Sequence, residues 1–109
     1  MATHRPDEWL ILLIDDEDDI LDVMALTFKD AGYRVETASD GKDGLKRFTA
    51  LSPQIVVTDI RMPRMNGIEV LEKIKQTGSH TEVIVVTAFG EVDLAIRALQ
   101  LDASDFITK

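Results

Sequence analysis

Uninterrupted apolar runs alternate with amphipathic segments along the chain. Residues 9–14 are continuously apolar, the pattern of a strand buried on both faces. From Glu17 onward, Ile20, Leu21, Met24, Ala25 and Phe28 fall at helical spacing, and Gly32 supplies a stop. Residues 34–38 alternate polar and apolar positions and read as a short edge strand, with Ser39, Asp40 and Gly41 as turn and cap material. Leu45, Phe48 and Leu51 mark a second helix, closed by Ser52 and Pro53. Residues 54–58 form a β-branched strand that ends on Asp59.

Pro63 and Gly67 punctuate the following loop, and Asn66 with Glu69 resembles a capping box. Ile68, Val70, Leu71 and Ile74 give a third helix its buried side, and Gly78 ends it. Residues 82–86 are another buried strand, followed by Thr87. A fourth helix carries two apolar stripes, Val92/Ala95/Leu99 and Leu94/Ala98/Leu101, and residues 105–108 make a last short strand before Lys109. Helices between successive strands imply a parallel sheet with right-handed crossovers. The apolar runs belong at the centre and the alternating and short strands at the edges. The fold class is therefore α/β, a doubly wound five-stranded parallel sheet in the flavodoxin-like order 2-1-3-4-5.

Length and composition narrow the possibilities. The 109 residues fit one domain, spanning 1–109. No apolar stretch approaches the ~20 residues that cross a bilayer, and the first eight residues do not read as a signal peptide. A cytoplasmic location is expected. The lack of cysteine excludes a disulfide framework, a thiolate metal site and a cysteine nucleophile. A net charge of −8 argues against nucleic-acid binding by this chain, which depends on clustered Lys and Arg. The two histidines, His4 and His80, are isolated and read as surface residues, and Trp9, Met62 and Met65 read as packing residues.

The acidic residues are unevenly spread. Asp15, Asp16, Glu17, Asp18, Asp19 and Asp22 crowd together with no basic residue among them. Glu17, Asp18 and Asp19 suit the positive end of a helix dipole. Asp15 and Asp16 follow directly on a buried strand and need another reason. In a parallel sheet, residues just past the C-terminal strand ends share one rim, where such folds bind ligands. Asp15, Asp16, Asp59, Thr87 and Lys109 all occupy that rim. Three carboxylates repel one another, and Mg²⁺ is the natural relief, since it accepts one or two carboxylates and keeps waters. A carboxylate there can also attack phosphorus and form an acyl phosphate. Asp59, from the middle of the sheet, is the best nucleophile. Lys109, Thr87 and backbone N–H groups near Asp59 and Ala88 supply positive charge and donors for the anionic transition state.

These residues resemble the receiver domain of two-component response regulators over about 9–109. The matching pieces are Ile14-Asp15-Asp16-Glu17, Asp59-Ile60-Arg61-Met62-Pro63 with Asn66-Gly67, Val86-Thr87-Ala88, and Phe106 ahead of Lys109. The resemblance implies that Asp59 accepts a phosphoryl group from a sensor histidine kinase or phosphotransfer protein. It implies Mg²⁺ ligation by Asp16, Asp59 and the Arg61 carbonyl, with Asp15 holding a metal-bound water. It further implies that Lys109 pairs with the phosphoryl group, that Thr87 swings toward it, and that Phe106 turns inward. The product is a switch acting on an output domain or partner protein, not a turnover enzyme.

Arg61 and Phe89 stand two residues after Asp59 and Thr87, where the resemblance implies that they border the approach of the water that hydrolyses the acyl phosphate, and both are expected to slow it. Receivers continue past this point with a fifth helix, so the chain reads as truncated before its last helix. The sheet surface left bare is expected to favour association, a homodimer among the outcomes. Competing readings fit less well. A phosphatase of the haloacid dehalogenase type needs an Asp-x-Asp pattern after its first strand and a cap domain. A flavodoxin-like electron carrier needs a phosphate loop where this chain places acid. A degenerate receiver that serves only as an interaction surface would not need the intact site residues.

Overall fold

The computed structural model describes residues 8–109, so His4 lies outside the described residues. Five strands alternate with four helices: β1 (Leu10–Ile14), α1 (Asp18–Asp30), β2 (Arg34–Ala38), α2 (Gly41–Leu51), β3 (Ile55–Asp59), α3 (Gly67–Gln76), β4 (Glu82–Thr87), α4 (Val92–Gln100) and β5 (Asp105–Thr108). The sheet order is β2-β1-β3-β4-β5, and every pairing is parallel. The doubly wound arrangement read from the apolar pattern is the one found. Trp9 falls just outside β1, and its carbonyl accepts the Arg34 N–H. Among the described residues, no helix is long and apolar enough to cross a membrane.

The continuous apolar character of β1 follows from where its side chains go. Leu12 and Ile14 join a core layer with Val56, Val83 and Val85 under α2, α3 and α4. Ile11 and Leu13 point the other way and pack with Val57, Val86, Leu21 and Ala25 beneath α1. Each fully buried Leu or Ile contributes roughly 1.5–3 kcal/mol of apolar transfer, so a polar residue on either side of β1 would be strongly disfavoured. The edge strands lack that demand. β2 is mostly half-buried, and β5 is exposed throughout.

Two expectations about apolar positions need correction. Of the two stripes on α4, Leu94, Ala98 and Leu101 pack into the core with Ala95 also buried, whereas Val92 and Leu99 face outward. One helix lying on a sheet can bury only one side. Leu51 is also exposed, because α2 ends there and Ser52, in the left-handed region (φ 47°), turns the chain away. Phe106 and Ile107 on β5 are exposed. His80 is exposed, and Met62 is buried in the core.

The starts of α2 and α3 are fixed by the anticipated residues. The Asp40 side chain accepts the Asp43 N–H at 2.7 Å, and the Asn66 side chain accepts the Glu69 N–H at 3.0 Å. Such caps contribute about 1 kcal/mol each. Gly67 opens α3 where the backbone of β3 comes close: a Cβ there would lie 2.2 Å from the Asp59 carbonyl oxygen. The Gly67 N–H donates to the Ile60 carbonyl at 2.8 Å, tying the loop after β3 to the start of α3.

Candidate functional site

Parallel strands bring Asp15, Asp16, Asp59, Thr87 and Lys109 to one rim, as the topology requires. Asp59 is the last residue of β3 and is only 4% exposed. Asp15 directly follows β1, is equally deep, and donates its N–H to the Ala38 carbonyl. Thr87 ends β4 and is buried. Asp16 is exposed at the mouth. Lys109 is held in the sheet: its backbone N–H donates to the Thr87 carbonyl at 2.7 Å.

The Lys109 ammonium is the hub of the cluster. Its Nζ donates to Asp59 Oδ2 at 3.1 Å and lies 3.6 Å from Asp15 Oδ2 and 3.9 Å from Glu17 Oε1. Burial pushes the Asp59 carboxyl above its ordinary value. The hydrogen bond from Lys109 opposes this shift, and the charges of Asp15 and Asp16 reinforce it. Burial alone would lower the Lys109 pKa, but its bond to Asp59 and the charges of Asp59, Asp15 and Glu17 raise it above the ordinary lysine value. The contact favours the charged form of both groups, and burial with the neighbouring aspartates is what leaves the Asp59 carboxyl raised. One cation is shared among three anions, so each anion receives only part of its field.

Asp15 also carries an unmet demand. Its Oδ1 accepts the Glu17 N–H at 2.9 Å, whereas its Oδ2 is buried without a hydrogen-bond partner. Leaving a buried charged acceptor without a hydrogen bond is costly. The carboxylates of Asp15, Asp16 and Glu17 can converge within 4.8 Å of one another. An all-oxygen donor set with an orphaned buried oxygen fits a hard divalent cation such as Mg²⁺.

Glu17 was read from sequence as a helix-start residue, and it does occupy the N-cap of α1. Its side chain makes no cap hydrogen bond, however, and faces Lys109. The acidic run hid this role, since dipole and site both favour acid at that position. Of the backbone N–H groups near Asp59, that of Ile60 is committed to the Val86 carbonyl at 3.0 Å. Arg61, expected to contribute its carbonyl, also sends its side chain to Glu91 at the N-cap of α4. Phe106 is exposed, on the strand that delivers Lys109.

Acid after β1 and at the end of β3, a hydroxyl at the end of β4 and an ammonium after β5 define a class of doubly wound α/β domain whose polar groups gather on one rim of a parallel sheet. The family described as the response regulator receiver domain matches residues 11–109, and the chain belongs to that family, which works in phosphorelay signalling. The chain is 36% identical over 99 residues to the regulatory protein AtoC of Escherichia coli K12, covering 91% of this chain and 22% of that protein. It is 36% identical over 102 residues to the chemotaxis protein CheY of Treponema pallidum, covering 91% and 71% respectively. A receiver domain structure from Clostridium thermocellum superposes with a TM-score of 0.87 at 37% identity, covering 93% of this chain and 82% of that one. The chain spans 22–49% of the length of the first three curated relatives, AtoC, PhoP of Bacillus subtilis and FixJ of Azorhizobium caulinodans.

Proposed function

We propose that Asp59 is a phosphoacceptor and that the domain is a Mg²⁺-dependent switch, phosphorylated by a sensor histidine kinase or phosphotransfer protein. The observation that carries this reading is the buried Asp59 carboxylate hydrogen-bonded to Lys109, beside the Asp15 Oδ2 that faces the same ammonium but has no hydrogen bond. An Asp59 oxygen forms the new bond to phosphorus while the bond to the donor imidazole nitrogen breaks, and the imidazole leaves with the electron pair. Lys109 is placed to follow the phosphoryl oxygens, since its ammonium already touches the acceptor oxygen. The Thr87 hydroxyl, at the end of the neighbouring strand, supplies a further donor. Asp15, Asp16, Asp59 and the Arg61 carbonyl would hold the metal, as the family resemblance implies; of these, Asp15 and Asp16 converge in the structure, together with Glu17. Magnesium, when bound, neutralises charge on the transferring group.

The phosphoryl group brings up to about two negative charges to a rim already rich in acid. Donors drawn toward it stabilise a second arrangement, with Thr87 moving in and the exposed Phe106 turning inward on the strand beside it. The affected surface is that of α4 and β5, where an output domain, a partner protein or a second copy would read the change. The reading is of a stoichiometric cytoplasmic acceptor that neither turns over small phosphate esters nor binds nucleic acid through this chain. Incubation with acetyl phosphate and Mg²⁺ is expected to add the mass of one phosphoryl group, and Asp59→Asn is expected to abolish the gain. A full mass gain in Asp59→Asn overturns the assignment.

A further inference from the structure

We propose that Glu91 is a positioning residue for Arg61 and, through it, sets the lifetime of the phosphoryl group on Asp59. The inference rests on the reading of Asp59 as the phosphoacceptor. Arg61 stands two residues after Asp59, and Glu91 stands four after Thr87. Their side chains form an ion pair that joins the loop after β3 to the first turn of α4. Arg61 is largely exposed, whereas the Glu91 side chain is only 18% exposed. The anchor is the buried member and the arginine is the outer one.

The local structure around Glu91 is otherwise loosely fixed. It holds the N-cap position of α4, yet its side chain makes no cap hydrogen bond and serves Arg61 instead. Gly90 before it has φ 87°, and Phe89 is 90% exposed. The Glu91 N–H closes one turn onto the Ala88 carbonyl at 3.1 Å. A helix start that gives up its own cap for a neighbouring loop has its carboxylate placed for that loop.

The chemistry at Asp59 explains why this placement matters. In hydrolysis a water oxygen bonds to phosphorus as the bond from phosphorus to the Asp59 oxygen breaks. Asp59 leaves as carboxylate with the electron pair, and the water proton passes to solvent. The attacking and leaving oxygens lie roughly in line. Asp59 sits at the buried floor of the rim, so water must come from the solvent side, past the loops that follow β1, β3 and β4. Arg61 and Glu91 belong to the last two of these loops. An arginine held by a carboxylate keeps one position on that approach, while an unheld one samples many and leaves it open. Because Glu91 belongs to α4, a partner that shifts the start of α4 moves Arg61. By linkage the phosphoryl state then alters that partner's affinity.

The test measures loss of phosphoryl after the donor is removed, in wild type, Glu91→Gln, Glu91→Ala, Arg61→Ala, the double alanine variant, and the exchanged pair Arg61→Glu with Glu91→Arg. Each single variant is expected to shorten the lifetime about two- to fivefold, the range of an exposed ion pair. The double variant should be no faster than Arg61→Ala, and the exchanged pair should recover part of the loss. Thermal midpoints should stay together, separating positioning from general destabilisation. In unphosphorylated protein, the Arg61 Nε–H should exchange with solvent more slowly in wild type than in Glu91→Gln. Unchanged lifetimes in both Glu91 variants, additive effects in the double variant, or faster uptake with an unchanged lifetime would each overturn the proposal. A wild type that takes up no phosphoryl group overturns the reading of Asp59 and this inference with it. A labelled wild type with lifetimes insensitive to Glu91 overturns this inference alone.

Discussion

Replacing Asp59 by Asn should make the metal-free protein more stable at neutral pH. The side chain is 5% exposed, and burial together with the charges of Asp15 and Asp16 outweighs Lys109, leaving the Asp59 pKa above 3.8. A group with a raised native pKa contributes stability that is complete below its unfolded value and is lost as pH rises through the native one. At pH 7 the wild type therefore carries the full deficit, and Asn, of nearly the same shape, removes it. Lys109 keeps Asp15 and Glu17 as partners, so the variant leaves no orphaned ammonium. The expected gain is about 1 kcal/mol, the size of an ordinary single-residue effect, or about 4 °C in Tm for a domain of this size. The assay is thermal unfolding followed by circular dichroism in EDTA, with the exposed Asp93→Asn as control. Below about pH 3.8 the two proteins should converge, because both are then neutral at this position. With Mg²⁺ at a hundredfold excess over its Kd, the wild type gains about 2.7 kcal/mol, and the order should reverse because Asn is a poor cation ligand. An Asp59→Asn protein less stable than wild type in EDTA at neutral pH would show that the Lys109 bond dominates, and the charge argument would fail.

Lys109→Met should raise the Asp59 carboxyl further, since both the hydrogen bond and the charge of Lys109 lower it; a carbon-detected NMR titration of Asp59 checks this, and a fall in pKa refutes it. Glu17→Gln should weaken Mg²⁺ binding about threefold to tenfold by calorimetry, because one anion near the site is lost; unchanged affinity would return Glu17 to a plain helix-start role. Gly67→Ala should cost about 1–3 kcal/mol or more in urea unfolding, since its Cβ meets the Asp59 backbone. Gly44→Ala should cost less, because its contact is the end of the Ile14 side chain; equal losses would contradict the distinction.

The frame of this fold was legible because it rests on periodicity. Leu12 and Leu13 face opposite core layers, so both had to be apolar. The edge position of β2 showed in its alternation, and the strand order followed from the crossovers. Site residues that follow buried strands, Asp15 and Asp59 among them, stood out because acid there has no helix-dipole excuse. Glu17 was hidden because it has that excuse, and its role appears only when Lys109 is seen beside it. The Arg61–Glu91 pair could not be read from spacing at all, since it depends on the direction two exposed side chains take from adjacent loops. The outward stripe of α4 was ambiguous for a related reason: small and large apolar residues on both sides of a short helix leave the sequence without a clear inner face.

The position of Lys109 links charge to shape. Its ammonium touches Asp59, and its backbone N–H is bonded to the carbonyl of Thr87. Thr87 and Thr108 are register partners, and Phe106 pairs with Val85 two steps earlier on the same strands. In the proposed switch, a phosphoryl group on Asp59 attracts the Lys109 ammonium and the Thr87 hydroxyl to one place. Those two groups are already joined through a single backbone hydrogen bond across β4 and β5. A shift of one is therefore transmitted to the other and along β5, an edge strand exposed throughout. In the proposed switch the shift is carried by β5, which delivers Lys109, whereas β1 and β3 are clamped between two core layers. The resting repulsion among Asp15, Asp59 and Glu17 sharpens the response. Each added negative charge increases the demand on the one shared cation and on Thr87.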